Sequence, residues 1–97
     1  MEIRRTREFI EWVIELRDRE ARARILNRID RLAHGNPGQT PSVGSGVVEM
    51  KVDYGPGYRV YFIKRGTSVV LLLCGGDKSS QDSDIRRAKI LAEAQEA

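Results

Sequence analysis

The chain has 97 residues, 40% of them apolar, and carries 17 Lys and Arg against 14 Asp and Glu, for a net charge of +3. That length fits one compact domain, residues 1–97, burying about 60–70% of the unfolded chain's surface. The weakly basic balance suits nucleic acid or an acidic protein partner without selecting either. The longest apolar run, Val69 to Cys74, is too short to span a membrane, and the charged start MEIRRTREF lacks the apolar stretch of a signal peptide. A lone Cys74 cannot form an intramolecular disulfide, so a cytoplasmic protein is expected.

In chain order, residues 2 to 5 read as a short strand. Thr6 then caps a helix whose Phe9, Trp12, Val13 and Leu16 recur at helical spacing. Asp18 caps a second helix with Ala21, Ile25, Ile29 and Leu32 on one face, stopped by Gly35, so a two-helix hairpin is expected. Beside that face run Arg17, Arg24, Arg28 and Arg31, a solvated stripe or a contact surface for RNA or a protein partner. His34, in the last turn, fits a C-terminal capping contact better than catalysis.

Residues 35 to 46 hold four glycines with Pro37 and Pro41 and read as a loop. From Val47 the alternation is that of a strand, with Val48, Met50, Val52 and Tyr54 on one side and Val47, Glu49, Lys51 and Asp53 on the other. A Gly55-Pro56-Gly57 link leads to a partner strand in which Tyr58, Val60 and Phe62 oppose Arg59, Tyr61 and Ile63. Placing Tyr54 against Tyr58 sets Asp53 opposite Arg59 and Lys51 opposite Tyr61, which gathers Lys51, Arg59 and Tyr61 on one surface. A solid apolar strand, Val69 to Cys74, completes an antiparallel three-stranded meander. After Gly75 and Gly76, Ser79 with Asp82 resembles a capping box for a final helix with Ile85, Ala88, Leu91 and Ala92 inward. The order predicts an α+β domain. The segment GGDKSS lacks the spacing of a nucleotide-binding loop.

No metal-ligating set or acid/base histidine stands out, so neither metal nor cofactor is expected. Cations on a sheet instead suit cleavage of RNA by its own 2′-hydroxyl, which needs positive charge where the phosphorane forms and proton transfer at two oxygens. Arg59 offers a planar fork for phosphate but remains protonated, whereas Lys51 or Lys78 can exchange a proton. Tyr61 is a candidate for base stacking, with Tyr58 more suited to the core.

The segments Ile3-Arg4-Arg5-Thr6, Gly35-Asn36, Val43-Gly44 and Gly46-Val47, together with Tyr54 to Phe62 and Leu72 to Gln81, resemble the RelE/ParE superfamily of toxins. Within it they are most similar to the HigB-like "addiction module killer" branch of type II toxin-antitoxin systems. The resemblance covers nearly the whole chain and implies a RelE-like fold: short N-terminal strand, helical hairpin, meander and C-terminal helix. It implies a ribosome-dependent mRNA endonuclease that arrests translation, held in check by a cognate antitoxin of helix-turn-helix type. Carried over by position, Arg59, Lys51 and Lys78 would be its catalytic cations; the residue pattern itself adds Tyr61, Arg24, Arg28 and Arg31 as candidate RNA contacts. The chain departs from that branch at Gln39 and Pro41, where Asp and Lys are usual, and has no counterpart of the tyrosine that some RelE-type toxins carry in the last helix. A ParE-like DNA gyrase inhibitor and a catalytically silent antitoxin-binding regulator are the rival readings, because fold does not fix function.

Overall fold

The computed structural model describes residues 1–96. Strand β1 (Glu2–Arg5) leads into helices α1 (Arg7–Glu15) and α2 (Arg19–Ala33), followed by strands β2 (Ser42–Gly44), β3 (Val47–Val52), β4 (Tyr58–Arg65) and β5 (Val69–Asp77). A 3-10 turn, Lys78–Ser80, then opens helix α3 (Gln81–Glu96). Among the described residues the strands form one sheet in the order β1-β5-β4-β3-β2. The α+β class follows the sequence expectation, but the sheet is five-stranded and mixed, with the antiparallel β3-β4-β5 run only its centre, rather than a three-stranded meander. Strand β1 joins β5 in parallel, with Ile3 opposite Val70, and β2 adds an antiparallel edge where a plain loop was expected.

Local chemistry fixes the helix starts. The Thr6 hydroxyl accepts from the Phe9 N–H, and the Asp18 carboxylate accepts from the N–H groups of Glu20 and Ala21. Arg22 then donates to the carbonyls of Val13, Ile14 and Leu16, closing the end of α1 from the first turns of α2. His34 caps α2 through its backbone N–H to Asp30, and Gly35 follows with φ +82, where a side chain would be strained. The last helix begins differently from the expected Ser79 cap. Asp77 takes that role for the 3-10 turn, its carboxylate accepting from the Ser79 N–H at 2.8 Å and the Ser79 hydroxyl at 2.5 Å.

Two cores flank the sheet. Phe9, Ile25, Leu32, Met50, Phe62 and Leu72 lie on the α1 and α2 side, and Val47, Tyr61, Ile63, Leu73, Ala88 and Ala92 on the α3 side. Strand β5 is apolar from Val69 to Cys74 because that stretch is covered on both faces. A bulge between Tyr61 and Phe62 of β4 leaves Leu73 as the extra residue, since Cys74 pairs with Tyr61 and Leu72 with Phe62. The resulting change of phase turns Gly75 toward Trp12, whose ring would lie 2.3 Å from an added Cβ. It also turns Gly76 toward Asp84, whose carboxylate would lie 1.8 Å away. A methyl at Gly75 would have to displace the Trp12 ring, whereas one at Gly76 would have to displace the end of the Asp84 side chain.

Candidate nucleic-acid interface

The pairing of β3 with β4 is offset by two residues from the expected register. Lys51 stands directly opposite Arg59, Val52 opposite Tyr58 and Glu49 opposite Tyr61. The Tyr54 hydroxyl donates to Asp18 at 2.9 Å and Arg24 stacks over its ring at 4.7 Å, so Tyr54 leaves the ladder and the turn spans Asp53 to Gly57. An offset of two preserves the side-chain parity, and Lys51 and Arg59 still share a face.

Beyond β5, Lys78 comes to the same end of the sheet. Lys51, Arg59 and Lys78, from three separate elements, line one cavity of about 440 Å³ whose remaining wall is Asp53 and the Tyr54 to Gly57 turn. Gly57, at φ +82, brings its backbone against Arg59, where an added Cβ would lie 3.2 Å from Nη1. Lys51 is exposed and its Nζ sits 3.3 Å from the Asp53 carboxylate. Arg59 is only 6% exposed. Its Nη1 donates to the Gly57 carbonyl at 2.6 Å, while Nε lies 3.9 Å from Glu49 Oε2, in ion-pair range but beyond hydrogen bonding. Among the described residues, Arg59 Nε is the one buried side-chain nitrogen or oxygen with no hydrogen-bond partner. Such orphaned donors are rare, and each calls for a local partner such as a water, an ion or a ligand group.

Beneath the cavity lies a polar network that no motif announced. Glu49, 8% exposed, accepts from the Tyr61 hydroxyl at 3.1 Å and from Gln81 Nε2 at 3.0 Å. The candidate stacking residue Tyr61 is therefore corrected: it is fully buried under α3, unable to meet a base, and burial followed by the Glu49 charge pushes its phenol well above the usual range. Nearby, the Ser79 hydroxyl and N–H hold the Asp77 carboxyl below its ordinary value. Burial raises that of Asp84, whose Oδ2 accepts from Ser80 at 2.6 Å. Burial likewise pushes the Cys74 thiol up to about 12, so this cysteine is an inert core group. The one sequence signal for the network was Glu49 sharing the side of the apolar Val47 in β3.

The α2 arginines divide. Arg28 is committed to structure, donating to the Lys51 carbonyl at 2.7 Å and the Pro37 carbonyl at 3.0 Å. Arg24 pairs with Glu20 at 2.9 Å while covering Tyr54. Arg31 is exposed, and all three line a second cavity of about 220 Å³.

The α+β domain that carries this cation cluster belongs to a phage-derived protein class. Residues 12–95 match the family described as phage derived protein Gp49-like (DUF891), and the chain belongs to that family. It is also 46% identical over 93 residues to an uncharacterized protein of Haemophilus influenzae, an alignment covering 96% of this chain and 94% of the relative. Among the described residues no helix is long and apolar enough to cross a membrane.

Proposed function

We propose that this protein is a RelE-like toxin of the HigB-like branch, a single-domain cytoplasmic endoribonuclease that cuts messenger RNA on the ribosome and is neutralised by a cognate antitoxin of helix-turn-helix type. Membership of the phage-derived Gp49-like family supports the toxin reading. The observation that carries the chemistry is Arg59: a guanidinium over nine-tenths buried, its Nε unpartnered, lining a cavity together with two lysines from other elements.

In this reading the ribose 2′-oxygen attacks the adjacent phosphorus, an O2′–P bond forms and the P–O5′ bond breaks, leaving a 2′,3′-cyclic phosphate and a free 5′-hydroxyl. Arg59 supplies fixed charge to the phosphorane oxygens, where preorganised donors act most strongly. Lys51 and Lys78 are the proton-transfer groups, one taking the 2′ proton and the other giving one to O5′. No step of this scheme calls on a metal ion.

Purified protein added to a translation reaction, with cut sites mapped by primer extension, tests the reading. Arg59→Ala and Arg59→Lys should both lose activity, the alanine variant by roughly 10²–10³-fold, because an ammonium lacks the bidentate fork. Thermal unfolding of both variants separates lost chemistry from lost fold. Intact message with the unaltered protein would refute the nuclease. Inhibition of supercoiling without cleavage would instead place the protein with gyrase inhibitors. A silent regulator is the second reading, favoured by the hold that Gly57 and Glu49 keep on Arg59. It predicts antitoxin binding with no growth arrest on induced expression.

A further inference from the structure

We propose that the catalytic cavity is the middle of three adjoining depressions that form one track for an extended single-stranded polyanion, entering over α2 and leaving over the start of α3. The depression lined by Arg24, Arg28 and Arg31 shares Asp53 with the central cavity. The central cavity in turn shares Lys78 with a third of about 390 Å³, walled by Ser79, Ser83 and Arg86. Each depression therefore presents at least one cation, and the same chain of shared walls joins them end to end. Arg31, Lys78 and Arg86 are exposed, and no ion pair among the described residues uses them.

The walls also select the ligand class. Val52 is the one aliphatic side chain in the α2 depression, and the third depression holds none. A docked protein helix needs apolar anchors in apolar pockets. A phosphate backbone needs only repeated cations, which this track supplies. Two carboxylates oppose it. Asp53 holds Lys51 at 3.3 Å and Asp82 stands in the third depression, so a strand must displace Asp53 and pass Asp82.

The nuclease reading identifies the polyanion as RNA, but binding can be measured without cleavage. The probe is a fluorescent 2′-O-methyl RNA of about ten nucleotides, within the usual range for single-strand sites, which has no 2′-hydroxyl to attack. Anisotropy titrations at several salt concentrations compare the unaltered protein with Arg31→Glu, Arg86→Glu and, as a charge-matched control, Lys64→Glu. Lys64 is exposed and lies toward the opposite end of β4 from Arg59. Arg31→Glu and Arg86→Glu should each weaken binding by ~3- to 10-fold and lower the salt slope by about one, the signature of a lost phosphate contact. Lys64→Glu should stay within about twofold, and a two-nucleotide probe should not distinguish the variants.

Equal losses at Lys64 would overturn the track, since net charge alone would then explain binding. So would unchanged RNA affinity in Arg31→Glu and Arg86→Glu, including the case where those variants instead lose an acidic protein partner. Cleavage that survives both substitutions at unaltered rate on long messages would remove the track while leaving the nuclease intact. RNA binding along the track without any cleavage would do the reverse.

Discussion

The two faces of the sheet solve burial differently. Toward α1 and α2 the core is entirely apolar, with Phe9 beside Trp12 at 5.8 Å and Phe62, Met50 and Leu72 fully enclosed. Toward α3 the helix approaches through Ala88 and Ala92, and the interface carries Glu49, Tyr61, Gln81 and the edge of Arg59. Burying charge is costly unless it is paired and hydrogen-bonded, and Glu49 meets that condition better than Arg59 does. The dry face therefore supplies stability, whereas the wet face spends some of it to hold a cation at a cavity wall.

Neighbouring residues of β4 give the strongest test of this division. Phe62→Ala on the dry face should cost about 3–5 kcal/mol, the usual range for a large aromatic truncated in a closed core. That lowers the thermal midpoint by at least ~12 °C for a domain of this size. Tyr61→Phe on the wet face removes one hydroxyl whose partner Glu49 keeps Gln81, so the loss should be about 1 kcal/mol. Urea unfolding of both variants decides it: equal losses would mean that the α3 face is as demanding as the other.

Gly75 and Gly76 face opposite sides and extend the comparison at smaller scale. Gly75→Ala drives a Cβ into the Trp12 ring, which is wedged between Phe9 and Tyr58, and should cost about 1–3 kcal/mol. Gly76→Ala meets the end of the Asp84 side chain, which can turn aside by giving up its bond to Ser80. The Gly75 variant should therefore unfold at the lower temperature in a calorimetric scan, and the reverse order would show Trp12 to be the more yielding neighbour.

Much of this architecture was legible because it is local. Thr6 and Asp18 cap as their positions imply, and the apolar faces of all three helices pack as their 3.6-residue spacing requires. Pairing is not local, and there the reading failed. Tyr54 was counted into the ladder, yet its hydroxyl bonds to Asp18 and its ring to Arg24, contacts 36 and 30 positions away in the chain that alternation cannot reveal. Lys51 and Arg59 survived the error because strand parity repeats every two residues. Tyr61 did not, because the same face is open at one end and covered by α3 at the other. Strand β2, three residues among glycines and prolines, carries too few side chains to show a period.

Acid should separate the two faces by sign. On the dry side, the Ala21 N–H and then the Tyr54 hydroxyl hold the Asp18 carboxyl below its ordinary value, so its contribution is complete above the unfolded value and fades as pH falls through the folded one. On the wet side, burial holds the Asp84 carboxyl above its ordinary value, so ionisation destabilises the fold and the penalty grows as pH rises from the unfolded value through the folded one. Asp18→Asn retains a capping oxygen and should melt lower than the unaltered protein at neutral pH, with the gap closing toward about pH 3. Asp84→Asn retains an acceptor for Ser80 and should melt at the same temperature or higher at neutral pH, and that gap should close at higher pH than the Asp18 gap, as pH falls through the folded value to the unfolded one. Melting curves of the three proteins between those limits are sufficient: two variants displaced in the same direction at neutral pH would mean that burial does not dominate at Asp84, and that its bond from Ser80 outweighs the loss of solvent.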